Sequence, residues 1–300
     1  MSYSVSAKSL EERLYIKPAH IPFVVISGLI LLSFAFAVYH GFISHALPDW
    51  SAYTCVILFG ISFLVYTFVA PKNYTVGFLV SLLPYLAAWD VAYMTKVWPI
   101  VYVAAFGAIA YVIQFFDTMN HDTKNYKGDG ALSLLIWQMA FLRIFFGFNE
   151  TGHFVEKLFA GDQWFGILVS VFTKYGLADN TSFFVVLAGC TELLIAIGIG
   201  MGLFTRFAGA LGVVYIFVAN SFGQHHLNGY TWSSRAISDQ IGRGGWEYVA
   251  LLIVFFGSFM IYGAGKFSLD RYLISKGLMP KFLLPFCITK ATQEELLEKK

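Results

Sequence analysis

The sequence predicts an all-α polytopic membrane protein: eight transmembrane helices arranged as two four-helix bundles, with both termini cytoplasmic. Three observations predict it. Of 300 residues, 58% are hydrophobic and 13% charged, where soluble domains run near a quarter charged. The apolar residues fall into long runs, each able to cross about 30 Å of hydrocarbon at about 1.5 Å per residue. Lys and Arg are unequally divided among the loops, fourteen of twenty falling on the side that holds both ends. That imbalance makes the richer side cytoplasmic.

The runs lie near 21–44, 52–71, 75–95, 97–116, 131–150, 181–205, 207–223 and 246–265. The first is too long for a signal-peptide core and has no small-residue cleavage site behind it, so it is expected to stay in the protein. Pro71 and Pro99 fall at the ends of runs, where a missing donor is harmless, while Pro84 lies inside the third run and is expected to kink it. Four regions follow: a cytoplasmic segment 1–20, an N-terminal four-helix unit 21–130, a second four-helix unit 131–273, and a cytoplasmic tail 274–300. The long loops 151–180 and 224–245 face outward. Residues 158–173 are too short to span and too apolar for water, so a re-entrant or interfacial segment is expected there.

Several function classes drop out. The net charge of +2 gives no electrostatic footprint for nucleic acid. The three cysteines form no disulfide framework, Cys55 and Cys190 reading as buried small apolar residues within spans. There is no Walker loop, no GxGxxG after a strand, no HExxH and no nucleophile elbow. Glu150-x-x-His153 has the spacing of carboxylate-bridged metal sites, but those need a second such motif from another helix, and none is present. No metal is expected.

Two charges lie inside the spans, Arg143 in the fifth and Glu192 in the sixth. A charge at mid-bilayer costs roughly 2.5–3.5 kcal/mol on insertion scales, so a chain keeps one that has a partner or a task. Counted along their antiparallel helices, the two fall at nearly the same depth, and an ion pair is expected, either holding the helices or relaying protons. Glu150, His153 and Lys157 are placed at the outer end of the fifth helix. Asn220, His225 and His226 follow the seventh, and Trp246 and Glu247 open the eighth. A polar pocket at the outer face is therefore expected, walled by His153, Lys157, His226 and Glu247, with Glu192 at its floor. These five are the candidate catalytic residues, since histidine and carboxylate in a partly dry pocket can exchange protons near neutral pH. Arg143, with Tyr230 and Trp232 closing over a flat ring, is the candidate cofactor-binding set.

The first half reads as a worn copy of the second or as a chance likeness of apolar helices. Cys55 matches Cys190, and Trp98 precedes Asp122 by the spacing that separates Trp246 from Asp270. Ile57 stands where Glu192 would be, so any site belongs to the second half.

Over roughly 131–273 the motifs resemble those of the DoxX/DoxD-like family. They run in order: Arg143 and Gly147; His153 and Lys157; Glu192, Gly198, Gly202 and Leu203-Phe204-Thr205-Arg206. His226 and Gly229 come next, followed by Gly244-Gly245-Trp246-Glu247, Gly263-x-Gly265 and Ser268-Leu269-Asp270. The family comprises small four-helix membrane proteins, some associated with quinone-linked respiratory enzymes. The resemblance implies a membrane subunit of a quinone-linked electron-transfer or oxidoreductase assembly. Its cofactor would be a quinone, its substrate a quinone or small reduced compound, and its protein partner would dock on the outer face. We expect it in a bacterial or archaeal cell (inner) membrane, in contact with lipid. A non-catalytic anchor for a redox enzyme is the first alternative. A small-solute carrier is the second, and it lacks the matching helix breaks that carriers use.

Overall fold

The computed structural model describes residues 22–124, 130–177, 179–223 and 245–298. Among them every regular element is helical. α1 (Phe23–Val38) begins behind Pro22 and ends in a π-helical turn, Tyr39–Ile43. α2 (Asp49–Val69) likewise follows a proline, Pro48, which supplies an extended entry and no competing donor. α3 (Tyr74–Met94) is capped by Asn73, whose side chain accepts from the Val76 N–H at 3.1 Å. Pro84 stands within this helix, which continues past it. α4 (Trp98–Lys124) runs 27 residues, extending beyond the expected span at its C-terminal end.

The second half is more broken. α5 (Gly130–Asn149) is followed after one residue by the short α6 (Thr151–Leu158). α7 (Asp162–Lys174) opens behind Gly161, whose φ of +95° suits glycine. α8 (Thr181–Ile195) passes into a π-helical segment, Ala196–Gly202, before α9 (Thr205–Phe222). α10 (Trp246–Tyr262), α11 (Leu269–Ser275), a 3-10 turn (Lys281–Phe286) and α12 (Lys290–Glu298) complete the order.

Six of these helical stretches are long and apolar enough to cross a membrane: Phe23–Ile43, Asp49–Val69, Tyr74–Met94, Trp98–Lys124, Thr181–Gly202 and Thr205–Phe222. α5, which carries Arg143, and the 17-residue α10 lie where the fifth and eighth spans are expected. The chain is an integral membrane protein in contact with lipid, and its exposed side chains include Leu64, Phe68, Phe106 and Phe217, each more than half exposed. Cys190 is exposed as well, against the burial expected of it, whereas Cys55 is buried and donates to the Ala88 carbonyl.

α1 to α4 pack on one another, and hydroxyl groups stitch their faces: Tyr66 to Gln114 at 2.6 Å, Ser81 to Tyr111 at 2.8 Å, Tyr85 to the Ala104 carbonyl at 2.7 Å. Such bonds hold helices where lipid tails give no hydrophobic drive between them. α5 lies on the π-helical segment and α9 on α10, with the backbones brought close by glycine. A Cβ on Gly147 would lie 2.1 Å from the Gly200 nitrogen, and one on Gly209 2.7 Å from the Phe256 carbonyl oxygen. One apolar core runs from α1 through α6, joining Phe78 and Phe115 of the first half to Trp137, Phe154 and Phe267 of the second.

The ends of the helices sort into two faces. At one, Ser51 donates to the Ala160 carbonyl and Trp164 Nε1 to the Met94 carbonyl. At the other, Asp122 accepts from Trp137 Nε1 and pairs with Lys266. α7, at about 20 Å for its 13 residues, is too short to cross. It packs on α6 and α8 with Leu168 buried.

Candidate functional site

The site forms where the fifth apolar run breaks. The Phe148-Asn149-Glu150-Thr151-Gly152 sequence puts polar groups and a glycine inside an apolar stretch. The helix tightens there, the Glu150 N–H bonding back to the Gly147 carbonyl, and α6 then resumes between α3 and α8. Glu150 and Lys157 were expected at the outer membrane face. Both are buried among the helices, Glu150 wholly and Lys157 nearly so. The reason is that α6 does not leave the protein: its Phe154 and Val155 face join the common core.

Lys157 reaches Glu192 on α8. Its Nζ lies 3.1 Å from Glu192 Oε1 and 2.8 Å from Glu156 Oε1, and it donates to the His153 carbonyl at 2.9 Å. Gly189, one turn before Glu192, makes room for it, since a Cβ there would stand 2.9 Å from Lys157 Cβ. Burial alone would lower the Lys157 ammonium, but the Glu192 and Glu156 carboxylates outweigh it and hold the group above its ordinary value. The lysine is therefore a fixed cation. Glu192 Oε1 also accepts from the Tyr215 hydroxyl of α9, and Asn149 Nδ2 donates to the Tyr248 hydroxyl of α10.

The cluster is not fully satisfied. Glu192 Oε2 and both Glu150 carboxyl oxygens are buried with no hydrogen-bond partner among the described residues. On the α3 side, Asp90 Oδ2 and Thr151 Oγ1 are in the same state. Native proteins pair the large majority of such atoms, and exceptions ask for a reason, catalytic or otherwise.

The expected Arg143–Glu192 pair does not form. Arg143 donates from Nη1 to the Ile199 and Gly200 carbonyls at 2.6 and 2.7 Å, and from Nη2 to the Phe267 carbonyl at 2.6 Å. The π-helical segment ends at Gly202 and leaves carbonyls turned out of the ladder, and a buried cation at a helix C-terminus satisfies them. Both Nη atoms are thereby taken up by backbone. Glu192 has Lys157 in its place. Asp270 does the complementary work at the start of α9, accepting from the Phe204 and Thr205 N–H groups at 2.8 and 2.9 Å. Arg206 donates to the Met260 and Pro285 carbonyls and ties the tail to this end.

Of the expected pocket walls, Lys157 and Glu192 meet. His153 is exposed, and its side chain makes no hydrogen bond to a described residue. Glu247 sits half-buried in the first turn of α10 without an ion pair to a described residue. His226, Tyr230 and Trp232 lie outside the described residues. Glu150 and His153 differ in burial, and among the described residues no three His, Cys, Asp or Glu side chains are placed to hold a metal.

Tyr215, Glu156 and Asp90 are members that sequence reading missed. Asp90 carried the same signal as Arg143 and Glu192, a charge inside an apolar run. Tyr215 and Glu156 carried none.

Compared with known proteins, residues 138–225 match the DoxX family. The matched stretch takes in Arg143, Glu150, Lys157, Glu192 and Arg206, so the C-terminal half of this membrane protein is DoxX-like. The comparisons with curated proteins and with solved structures returned no match.

Proposed function

We propose that this protein is the membrane subunit of a quinone-linked electron-transfer assembly, and that the Glu150–Lys157–Glu192 cluster takes up and releases the protons that accompany electron movement. One observation carries the reading: among the described residues three buried carboxyl oxygens, on Glu150 and Glu192, have no donor, and Glu192 pairs with the Lys157 ammonium. Removing a carboxylate from water with no donor costs several kcal/mol. Glu150 is therefore favoured as the neutral acid, and it can lose its proton when a neighbouring group gains positive charge or a donor. Glu192, paired with Lys157 at 3.1 Å, is the nearby acceptor. Tyr215, bonded to Glu192, extends the chain of exchangeable protons to α9.

The DoxX-like half supports the quinone link, because the family includes proteins associated with quinone-linked enzymes. A cell-membrane location and a soluble redox partner on the outer face belong to the same reading.

The test is turnover. The protein is purified in mild detergent with whatever subunits accompany it, reconstituted in nanodiscs, and assayed for quinone reduction and quinol oxidation. Glu150→Gln and Glu192→Gln each lower turnover by about 10²-fold or more, the usual weight of a positioned acid or base. Full turnover in both variants removes the cluster from the reaction and leaves the protein as an anchor for its partner.

A further inference from the structure

The face where α3, α4 and α5 meet carries a cavity of about 530 Å³. That lies within the roughly 300–1,000 Å³ of small-molecule sites. Its walls are apolar, among them Leu82, Ala108, Val112, Phe141 and Ile144. Val112 and Ile109 on its rim are more than half exposed on the lipid-facing surface, so the cavity opens sideways. A second cavity of about 330 Å³ adjoins it and shares Leu86, Trp89 and Phe148. The two are separated by no more than this shared wall, and their linings differ.

The second cavity carries the polar groups. Asp90, Thr151 and Gly152 line it, and Asp90 Oδ2 and Thr151 Oγ1 are buried without a hydrogen-bond partner among the described residues. Thr151 is 4% exposed. A Cβ on Gly152 would lie 3.4 Å from Asp90 Oδ2, so the glycine leaves the space before the carboxyl open. An apolar well ending at an acceptor that no described residue serves with a donor is shaped for a molecule with a hydrocarbon chain and a donating head.

We propose that this pair of cavities binds a chain-bearing amphiphile with a hydroxyl head. The chain lies in the apolar well, and the hydroxyl donates to Asp90 with Thr151 beside it. This rests on the functional reading above in one respect: the reduced, hydroxyl-bearing form of an isoprenoid quinone is the occupant that reading supplies. The oxidised form carries carbonyls and cannot donate to Asp90. The site therefore favours the hydroquinone.

The experiment uses the full chain in phosphatidylcholine nanodiscs, whose lipid has no hydroxyl head, with bound ligand counted by native mass spectrometry. The probes are a short-chain hydroquinone, its quinone, its dimethyl ether, and phosphatidylglycerol. One hydroquinone binds per chain, about tenfold more tightly than the ether or the quinone, as one hydrogen bond to a charged acceptor gives. Asp90→Leu erases that preference. Ala108→Trp and Val112→Trp fill the well and remove binding of every probe, the second from a lipid-exposed position that leaves folding undisturbed. Preferred binding of phosphatidylglycerol, with the same dependence on Asp90, keeps the site and assigns its head group to a lipid. Equal binding of all probes regardless of Asp90, or binding undiminished by both tryptophans, overturns the proposal. If both tryptophan variants keep full turnover while Glu192→Gln abolishes it, the binding site is wrong and the functional reading stands. If hydroquinone binds here but Glu150→Gln and Glu192→Gln turn over fully, the reverse holds.

Discussion

Replacing Lys157 by Met tests whether the buried pair is what holds α6 to α8. At 3.1 Å and an effective dielectric of about 20, the attraction between the two charges is about 5 kcal/mol. Desolvating two ions costs several kcal/mol each, so the intact pair contributes little net stability. Breaking it is another matter. Lys157→Met leaves Glu192 buried with Tyr215 as its sole donor among the described residues, and the expected loss is about 3–5 kcal/mol. Glu192→Gln keeps an acceptor for Tyr215 but strands the ammonium, whose other carboxylate, Glu156, is a quarter exposed. The double variant removes both charges, and its loss falls short of the sum by about 1–3 kcal/mol. Unfolding is followed in mixed micelles of rising SDS fraction, by tryptophan fluorescence and circular dichroism. Additivity within about 0.5 kcal/mol would refute the reasoning, because Lys157 would then be held by Glu156 and the His153 carbonyl alone.

Three further outcomes are expected. Gly147→Ala drives a methyl into the Gly200 backbone and destabilises by about 1–3 kcal/mol or more in the same titration; a loss below about 0.5 kcal/mol means α5 and the π-helical segment do not touch this closely. The Lys157 contribution has a defined pH course: the group is raised in the folded state, so its stabilisation is whole below the ordinary lysine value of 10.5 and is lost as pH climbs through the higher folded value. Deprotonation of the Lys157 side chain in the wild-type protein between pH 6 and 9, followed by NMR of selectively labelled lysine, contradicts this. Finally, with the native cysteines replaced, an impermeant maleimide added to intact cells labels Lys96→Cys and not Lys72→Cys; the opposite pattern inverts the topology.

The helices were legible because apolar runs of about twenty residues have few alternatives in lipid. Observed bounds such as Asp49–Val69 and Tyr74–Met94 lie within a few residues of the expected spans. Sidedness within the bundle was legible too, since α7 does meet the α3 end that carries Met94. The site was half legible. Arg143 and Glu192 stood out by cost, but depth was counted at a constant rise along straight helices. The break at Glu150 and the π-helical segment at Ala196–Gly202 spoil that count. Arg143 meets freed carbonyls, and Glu192 meets a lysine that seemed to belong to the surface. No periodicity in one sequence announces a helix break that keeps its second half inside the bundle. Asp90 was visible and overlooked, because it sits in the half assumed to be without a site.

The carbonyls that receive Arg143 come late in the chain, 56, 57 and 124 residues after it. At about 5–20 residues per second, the last of them leaves the ribosome roughly 6–25 s after the arginine does. For that interval the guanidinium has none of its eventual acceptors, and lodging it at mid-bilayer would cost roughly 2.5–3.5 kcal/mol. α5 is thus a poor candidate for early, independent release into lipid. Its entry is coupled to the arrival of α8 and of the segment after α10, and the order of synthesis is at odds with the order of assembly. A chain truncated before Phe267 would carry its most expensive side chain with one of its three acceptors missing.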